Sequence, residues 1–308
     1  MKKTLISTAV FALLFASCSS DDGLLDNLNY PADNVVRVTA QVDEPSSRSI
    51  TTDNLKEFYL SIVNSASETY CYNNVKFEKT ANSWQPEKQL LWQNATQAVT
   101  VQAETGKPKE GMQYRAVETD QSTIENFDKS DYLWFFEKDF VPNDKLKDKK
   151  ININFKHGLS LFDIQITYGT EFNASTLLDV SEISNMKVKG SVIGFGPIFG
   201  DSFRIKQIGS EESIAPYHSG FTAATTQAAH AVDNFSCILV PQDISAGNFS
   251  VEFVAKGKFY QWTSTTDIKL EPGKKYQLNL VLGKELLMAG SITPKAWTNQ
   301  AEGNIETE

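Results

Sequence analysis

In 308 residues there are only three cysteines and three histidines. They form no H-E-x-x-H and no paired Cys/His spacing, so a zinc centre has no support. A G-x-S-x-G nucleophile elbow and a phosphate-cradling loop are also absent. The glycine-rich run GSVIGFGPIFGDS, Gly190 to Ser202, carries Pro197 and precedes no helical pattern, which excludes a dinucleotide site. It reads as a loop or bulge between strands. FDKSDY, Phe127 to Tyr132, holds two carboxylates, too few oxygens for an EF-hand-type calcium loop. Carboxylates are common throughout, and none stands out as a glycosidase pair. His157, closing ININFKH, reads as a hydrogen-bonded structural residue, and no particular role attaches to His218 or His230. Positive charge is also short: 29 basic against 38 acidic residues leave a net −9 and a pI near 5.0. Such a chain lacks the footprint for nucleic acid or anionic lipid heads. These absences exclude an enzyme with a legible site and imply neither cofactor nor metal.

No apolar run reaches the roughly 20 residues needed to span a bilayer. The N-terminus has instead Lys2 and Lys3, an apolar segment from Leu5 to Phe15, small residues and Cys18. That order makes residues 1–17 a secretory signal peptide. Phe15-Ala16-Ser17-Cys18 resembles the bacterial lipobox, with phenylalanine where leucine is usual. Cys18 is then the lipidated first residue of the mature chain, and palmitate-type acyl chains hold it on a membrane. Residues 18–33, polar and acidic, form the tether.

Hydrophobic residues at 41% and aromatics at 11% supply enough apolar surface for real cores. The mature length suits two domains. The dominant pattern has period two: Val36, Val38, Ala40 and Val42; Phe58, Leu60 and Ile62; Ile151, Ile153 and Phe155; Phe162, Ile164, Ile166 and Tyr168; Phe249, Val251 and Phe253; Tyr276, Leu278, Leu280 and Leu282. Turn residues such as Asn73-Asn74, Gly106-Lys107-Pro108 and Pro272-Gly273 separate these runs. No long helical stripe interrupts them; at most STLLDVSEI, residues 175–183, forms a short helix. The expectation is all-β, two tandem β-sandwich domains at 34–149 and 150–308, with a C-terminal tail and a boundary in Asn143 to Lys150. Cys71 and Cys237 read as two free, buried small hydrophobes. Trp84, Trp92, Trp134, Trp262 and Trp297 read as core or interface packing before sugar-stacking platforms.

The C-terminal third is more specific. A hydrophobic-Val-Pro-Gln strand (Ile238 to Gln242), Pro-Gly-Lys-Lys-Tyr-x-Leu-Asn-Leu (Pro272 to Leu280), Leu-Gly-Lys (Leu282 to Lys284) and a strand ending at Trp297 follow one another. This succession resembles the fimbrillin (Mfa-like) family of Bacteroidales surface lipoproteins. FKHGLSLFDIQI, Phe155 to Ile166, is similar to a further family segment, with Leu161 where lysine is usual. The resemblance implies transthyretin-like topology and a subunit of adhesive fimbriae at the outer-membrane surface. It also implies a trypsin-like protease that cuts after a basic residue behind the first strand, and polymerisation with other subunits, of the same or another kind, by strand exchange. Arg48, in the loop DEPSSRSITTD, is the one basic residue between Arg37 and Lys56, so cleavage falls between Arg48 and Ser49. Leu286, Leu287, Met288, Ile292 and Trp297 are the donor-strand candidates, although a last strand of the second domain explains them nearly as well. A host or bacterial adhesion receptor is an expected partner. The rival readings are a surface-anchored glycan-binding lipoprotein and, behind it, a secreted hydrolase.

Overall fold

The computed structural model describes residues 29–43, 50–81, 83–107, 114–173, 176–200, 202–284 and 287–296. Cys18, Arg48, Ser49, Leu286 and Trp297 lie outside them.

Period-two alternation builds the first unit. Its strands are β1 (Val38–Val42), β2 (Glu57–Val63), β3 (Tyr72–Lys79), β4 (Trp84–Pro86), β5 (Val99–Glu104), β6 (Arg115–Ala116), β7 (Leu133–Phe140) and β8 (Ile151–His157). All but β6 join one seven-stranded sheet in the order β1-β8-β7-β5-β2-β3-β4. The sheet folds over on itself. Phe58 of β2 meets Phe155 of β8 edge-on, with centroids 5.3 Å apart, and the end strands β1 and β4 come into contact. The enclosed core takes Val38 and Val42 from β1, Val36 from just before it, and Ile151, Ile153 and Phe155 from β8.

The second unit comprises β9 (Ser160–Tyr168), β10 (Ile183–Ile198), β11 (Arg204–Ile214), β12 (Tyr217–Thr222), β13 (Val232–Leu239), β14 (Asp243–Ile244), β15 (Ser250–Ala255), β16 (Lys258–Thr263), β17 (Ile268–Lys269), β18 (Lys274–Leu282) and β19 (Leu287–Ala296). One sheet runs β11-β10-β15-β16, with β6 added to β10; the facing sheet runs β12-β13-β9-β18-β19. A small ribbon, β14-β17, lies apart. Phe162 and Phe249 meet edge-on across the two sheets at 5.1 Å. The expected all-β sandwich architecture is therefore observed.

The segment Asn143 to Lys150 lies between β7 and β8, both strands of the first sheet. Val117, Phe127 and Tyr132 already belong to the second core, and the chain returns to the first at Leu133 before its last passage to the second between Phe155 and Leu159. The units are joined at a packed junction. Trp134 of β7 stacks on Phe203, beside the β10–β11 turn, with centroids 4.1 Å apart. Arg115 Nη2 lies 2.8 Å from Glu104 Oε1, and Tyr132 donates to Glu104 Oε2 at 2.5 Å. Burial, reinforced by the Glu104 carboxylate, pushes the Tyr132 hydroxyl well above its ordinary range.

Some local readings need correction. Residues 176–182 form no helix, because their polar groups are committed elsewhere: Leu178 N–H to Asn173 Oδ1 at 3.1 Å, and Ser181 Oγ to Asp233 at 2.7 Å. Among the described residues the α-helices are α1 (Ile124–Ser130), capped by Thr123, and α2 (Pro142–Lys145), with proline in its first turn. The glycine-rich run up to Ile198 belongs to β10 and accommodates bulges between Val188 and Ser191 and between Val192 and Gly194. Cys71 is exposed, its Sγ 3.2 Å from both the N and the O of Asn64; Cys237 is buried, and both are free.

Candidate functional site

β1 pairs with one neighbour, β8, in a parallel ladder from Val38–Ile151 to Val42–Phe155. Ile151 N–H donates to Arg37 O at 2.8 Å, and Asp43 N–H to Phe155 O at 2.8 Å. In a parallel ladder alternate residues face the partner. Arg37, Thr39, Gln41 and Asp43 therefore turn their backbone groups to β8, and Val36, Val38, Ala40 and Val42 turn theirs away. Val36 N–H is taken by Leu90 O at 2.9 Å and Val42 N–H by Thr52 Oγ1 at 2.9 Å. Val38 and Ala40 face a groove of about 860 Å³ between β1 and the β3–β4 hairpin. Trp84 stands in its wall, and Arg37, Lys79 and Lys150 supply its charge without any carboxylate among the lining residues. Lys79 Nζ donates to Thr52 O at 2.8 Å, and Arg37 pairs with Asp33, whose carboxyl is held well below its usual range by that contact.

The arrangement is an edge strand with a dry inner face. Val36, Val38 and Val42 are 2%, 6% and 3% exposed. The chain leaves β1 at Asp43 and returns at Ile50, which packs on the same core. The expected cleavage site, Arg48-Ser49, falls in the intervening 44–49, outside the described residues.

The other end of the chain offers a second edge. β19 lies antiparallel on β18, from Lys274–Ala296 to Leu282–Leu287, with a bulge between Leu278 and Leu280. Leu287 and Ile292 pack on the second core, and Met288 is 54% exposed opposite Val281. Three of the donor candidates, Leu287, Met288 and Ile292, thus sit in a strand docked on β18.

His157 is buried, with Nδ1 2.9 Å from Asp131 Oδ2 at the end of α1. His218 Nε2 lies 2.7 Å from Asp233 Oδ1, and His230 Nδ1 2.7 Å from Tyr168 O. The first ties β8 to the end of α1, the second β12 to β13 and the third the loop before β13 to β9, and no group of three or more His, Cys, Asp or Glu among the described residues could hold a metal. Sequence reasoning missed the seam between β1 and β4 and the Trp134–Phe203 junction. Both join segments far apart in the chain, and no local pattern announces such a meeting. Trp92 is buried and stacked on Phe140 at 5.8 Å, while Trp84, Trp134 and Trp262 each line a cavity.

The family model described as Fimbrillin-like matches residues 46–297. No curated protein matches the chain. Among solved structures, a candidate cell adhesion protein from Bacteroides ovatus ATCC 8483 aligns with a TM-score of 0.59 at 14% identity, covering 88% of this chain and all 100% of that one. A candidate cell adhesion protein from Bacteroides uniformis ATCC 8492 aligns at 0.55 and 14% identity, covering 87% of this chain and 100% of its own. At such identity these likenesses speak for the fold.

Proposed function

This chain belongs to the fimbrillin-like family, and from that membership we propose how it is exported and assembled. The family is one of structural, non-enzymatic proteins of cell-surface fimbriae that associate with other fimbrial subunits. In the proposal Cys18 carries the lipid that holds the precursor on the outer membrane. A trypsin-like protease then cuts between Arg48 and Ser49, and the piece bearing Cys18 and β1 departs. The slot it leaves along β8 is filled by an extended strand of another subunit, with β19 as the donor. Adhesion to a host or bacterial receptor is the role of the finished fimbria.

One observation carries this reading. β1 is held by a single ladder, supplies Val38 and Val42 to the first core beside Val36 just before it, and rejoins the chain through the segment that contains Arg48. Its loss opens an apolar groove and a free sheet edge, the two requirements for strand addition. β19 has a matching character: an edge strand, with Leu287 and Ile292 directed to a core. Two changes test the scheme. Cys18→Ser is expected to give a soluble form, and full partition of that variant into the detergent phase overturns the anchor. Deleting 286–308 is expected to leave a folded monomer that does not polymerise, and unchanged fibre assembly overturns the donor assignment.

A further inference from the structure

The second sandwich has a cleft of about 640 Å³ along one side, where the end of β16, the β14–β17 ribbon and the start of β18 meet. Its apolar wall holds Trp262, Ile268 and Tyr276, and β19 adds only Ile292 and Pro294 at one edge. Trp262 is half-buried: its ring meets Phe249 of the core edge-on at 6.5 Å and also lines the cleft. An indole anchored on one side and open on another is a rigid platform.

The segment that continues from Trp262 along the cleft is rich in hydroxyls: Thr263, Ser264, Thr265, Thr266 and then Asp267. It is internally braced. Ser264 Oγ donates to Thr266 O at 2.6 Å, Gly247 N–H to Ser264 O at 2.8 Å, and Ala246 N–H to Asp267 Oδ1 at 2.9 Å. Thr265 and Thr266 stand exposed above that frame. Charge at the cleft is Asp267 and Glu271 against Lys269, which lacks the positive excess that a phosphate or an acidic sugar requires.

We propose that this cleft binds a neutral oligosaccharide, the C–H face of one pyranose lying on Trp262 and its hydroxyls bonding to the Thr263–Asp267 rim. The volume falls within the range of about 300–1,000 Å³ usual for small-ligand sites. The other half-buried tryptophans are less suited. Trp84 stands in the basic groove beside β1, and Trp134 has Phe203 at 4.1 Å and Lys156 Nζ 5.7 Å from its ring. The binding site goes beyond the fimbrial reading and is complete in the single subunit, where β19 is docked and closes one edge with Ile292 and Pro294.

The test uses the full chain in detergent and five probes: maltotetraose, laminaritetraose, mannotetraose, chitotetraose and N-acetyllactosamine. Titration calorimetry is expected to show saturable binding of at least one, with an affinity of about 0.1–1 mM. Trp262→Ala is expected to weaken it by about tenfold or more, while Phe259→Ala, at an exposed aromatic outside the cleft, leaves it unchanged. Because Trp262 also touches the core, Thr266→Arg serves as a second variant; it blocks the mouth from an exposed position and is expected to abolish binding with an unchanged melting curve. Failure of all five probes at about 5 mM overturns the proposal. So does binding that survives both Trp262→Ala and Thr266→Arg.

Discussion

Removing β1 from the purified protein is a sharp perturbation of the first domain. A chain beginning at Ser49 loses Val36, Val38 and Val42, all nearly inaccessible to solvent. At roughly 1.5–2 kcal/mol for each buried valine, that withdraws about 5 kcal/mol of apolar burial. Its backbone bonds to β8, including Ile151 N–H to Arg37 O, add about 1 kcal/mol each. The entropy of the freed strand offsets part of this, and a net loss of about 3 kcal/mol lowers the melting midpoint of such a domain by roughly 10 °C. The loss is a large share of the roughly 5–15 kcal/mol that holds a domain folded. Tryptophan emission reports the transition, with Trp84 and Trp92 at the first core. A synthetic peptide spanning Asn34 to Asp43 is expected to restore the midpoint saturably by refilling the slot. Equal midpoints for the two chains, or no response to the peptide, would refute the idea that β1 is an exchangeable part of this core.

Two further outcomes follow from local geometry and charge. Gly190, at φ +90, sits where a Cβ would lie 1.9 Å from Asn248 O, so Gly190→Ala is expected to destabilise the second domain by about 3 kcal/mol or more in denaturant unfolding. Burial and the neighbouring Asp131 push the Asp128 carboxyl up to about 6. A raised carboxyl binds its proton more tightly in the folded state, so Asp128 lowers stability increasingly from about pH 4 to 6 and fully above that. Asp128→Asn is expected to raise stability at pH 7.5 by about 1 kcal/mol, discounted for partial exposure, and to change little at pH 3.5. Melting curves at the two pH values check it.

The strands that bury one face were legible because alternation is a local property. Val36 to Val42, Ile151 to Phe155 and Tyr276 to Leu282 all fall on β-strands or their flanks. The helix expected in residues 175–183 shows the limit. Leu177 and Val180, which a helix would place on one face, are 38% and 60% exposed while Leu178 is buried, so the segment is shaped instead by distant partners such as Asp233. The position of β8 was hidden for a similar reason. Its alternation announces a strand, but only the pairing of Ile151 with Val38 and of His157 with Leu133 assigns it to the first sheet. The groove beside β1 depends on the two ends of a sheet meeting, and Trp84 alone gives no sign of that.

Release of β1 by a cut after Arg48 is read out by the N-terminal residue of subunits taken from assembled fimbriae. Ser49 is expected as the first residue, with Val36 to Val42 absent from the fibre, and the Arg48→Ala variant is expected to stay full length on the membrane without polymerising. Fimbrial subunits that still carry β1, or fibres formed by the alanine variant, would contradict it.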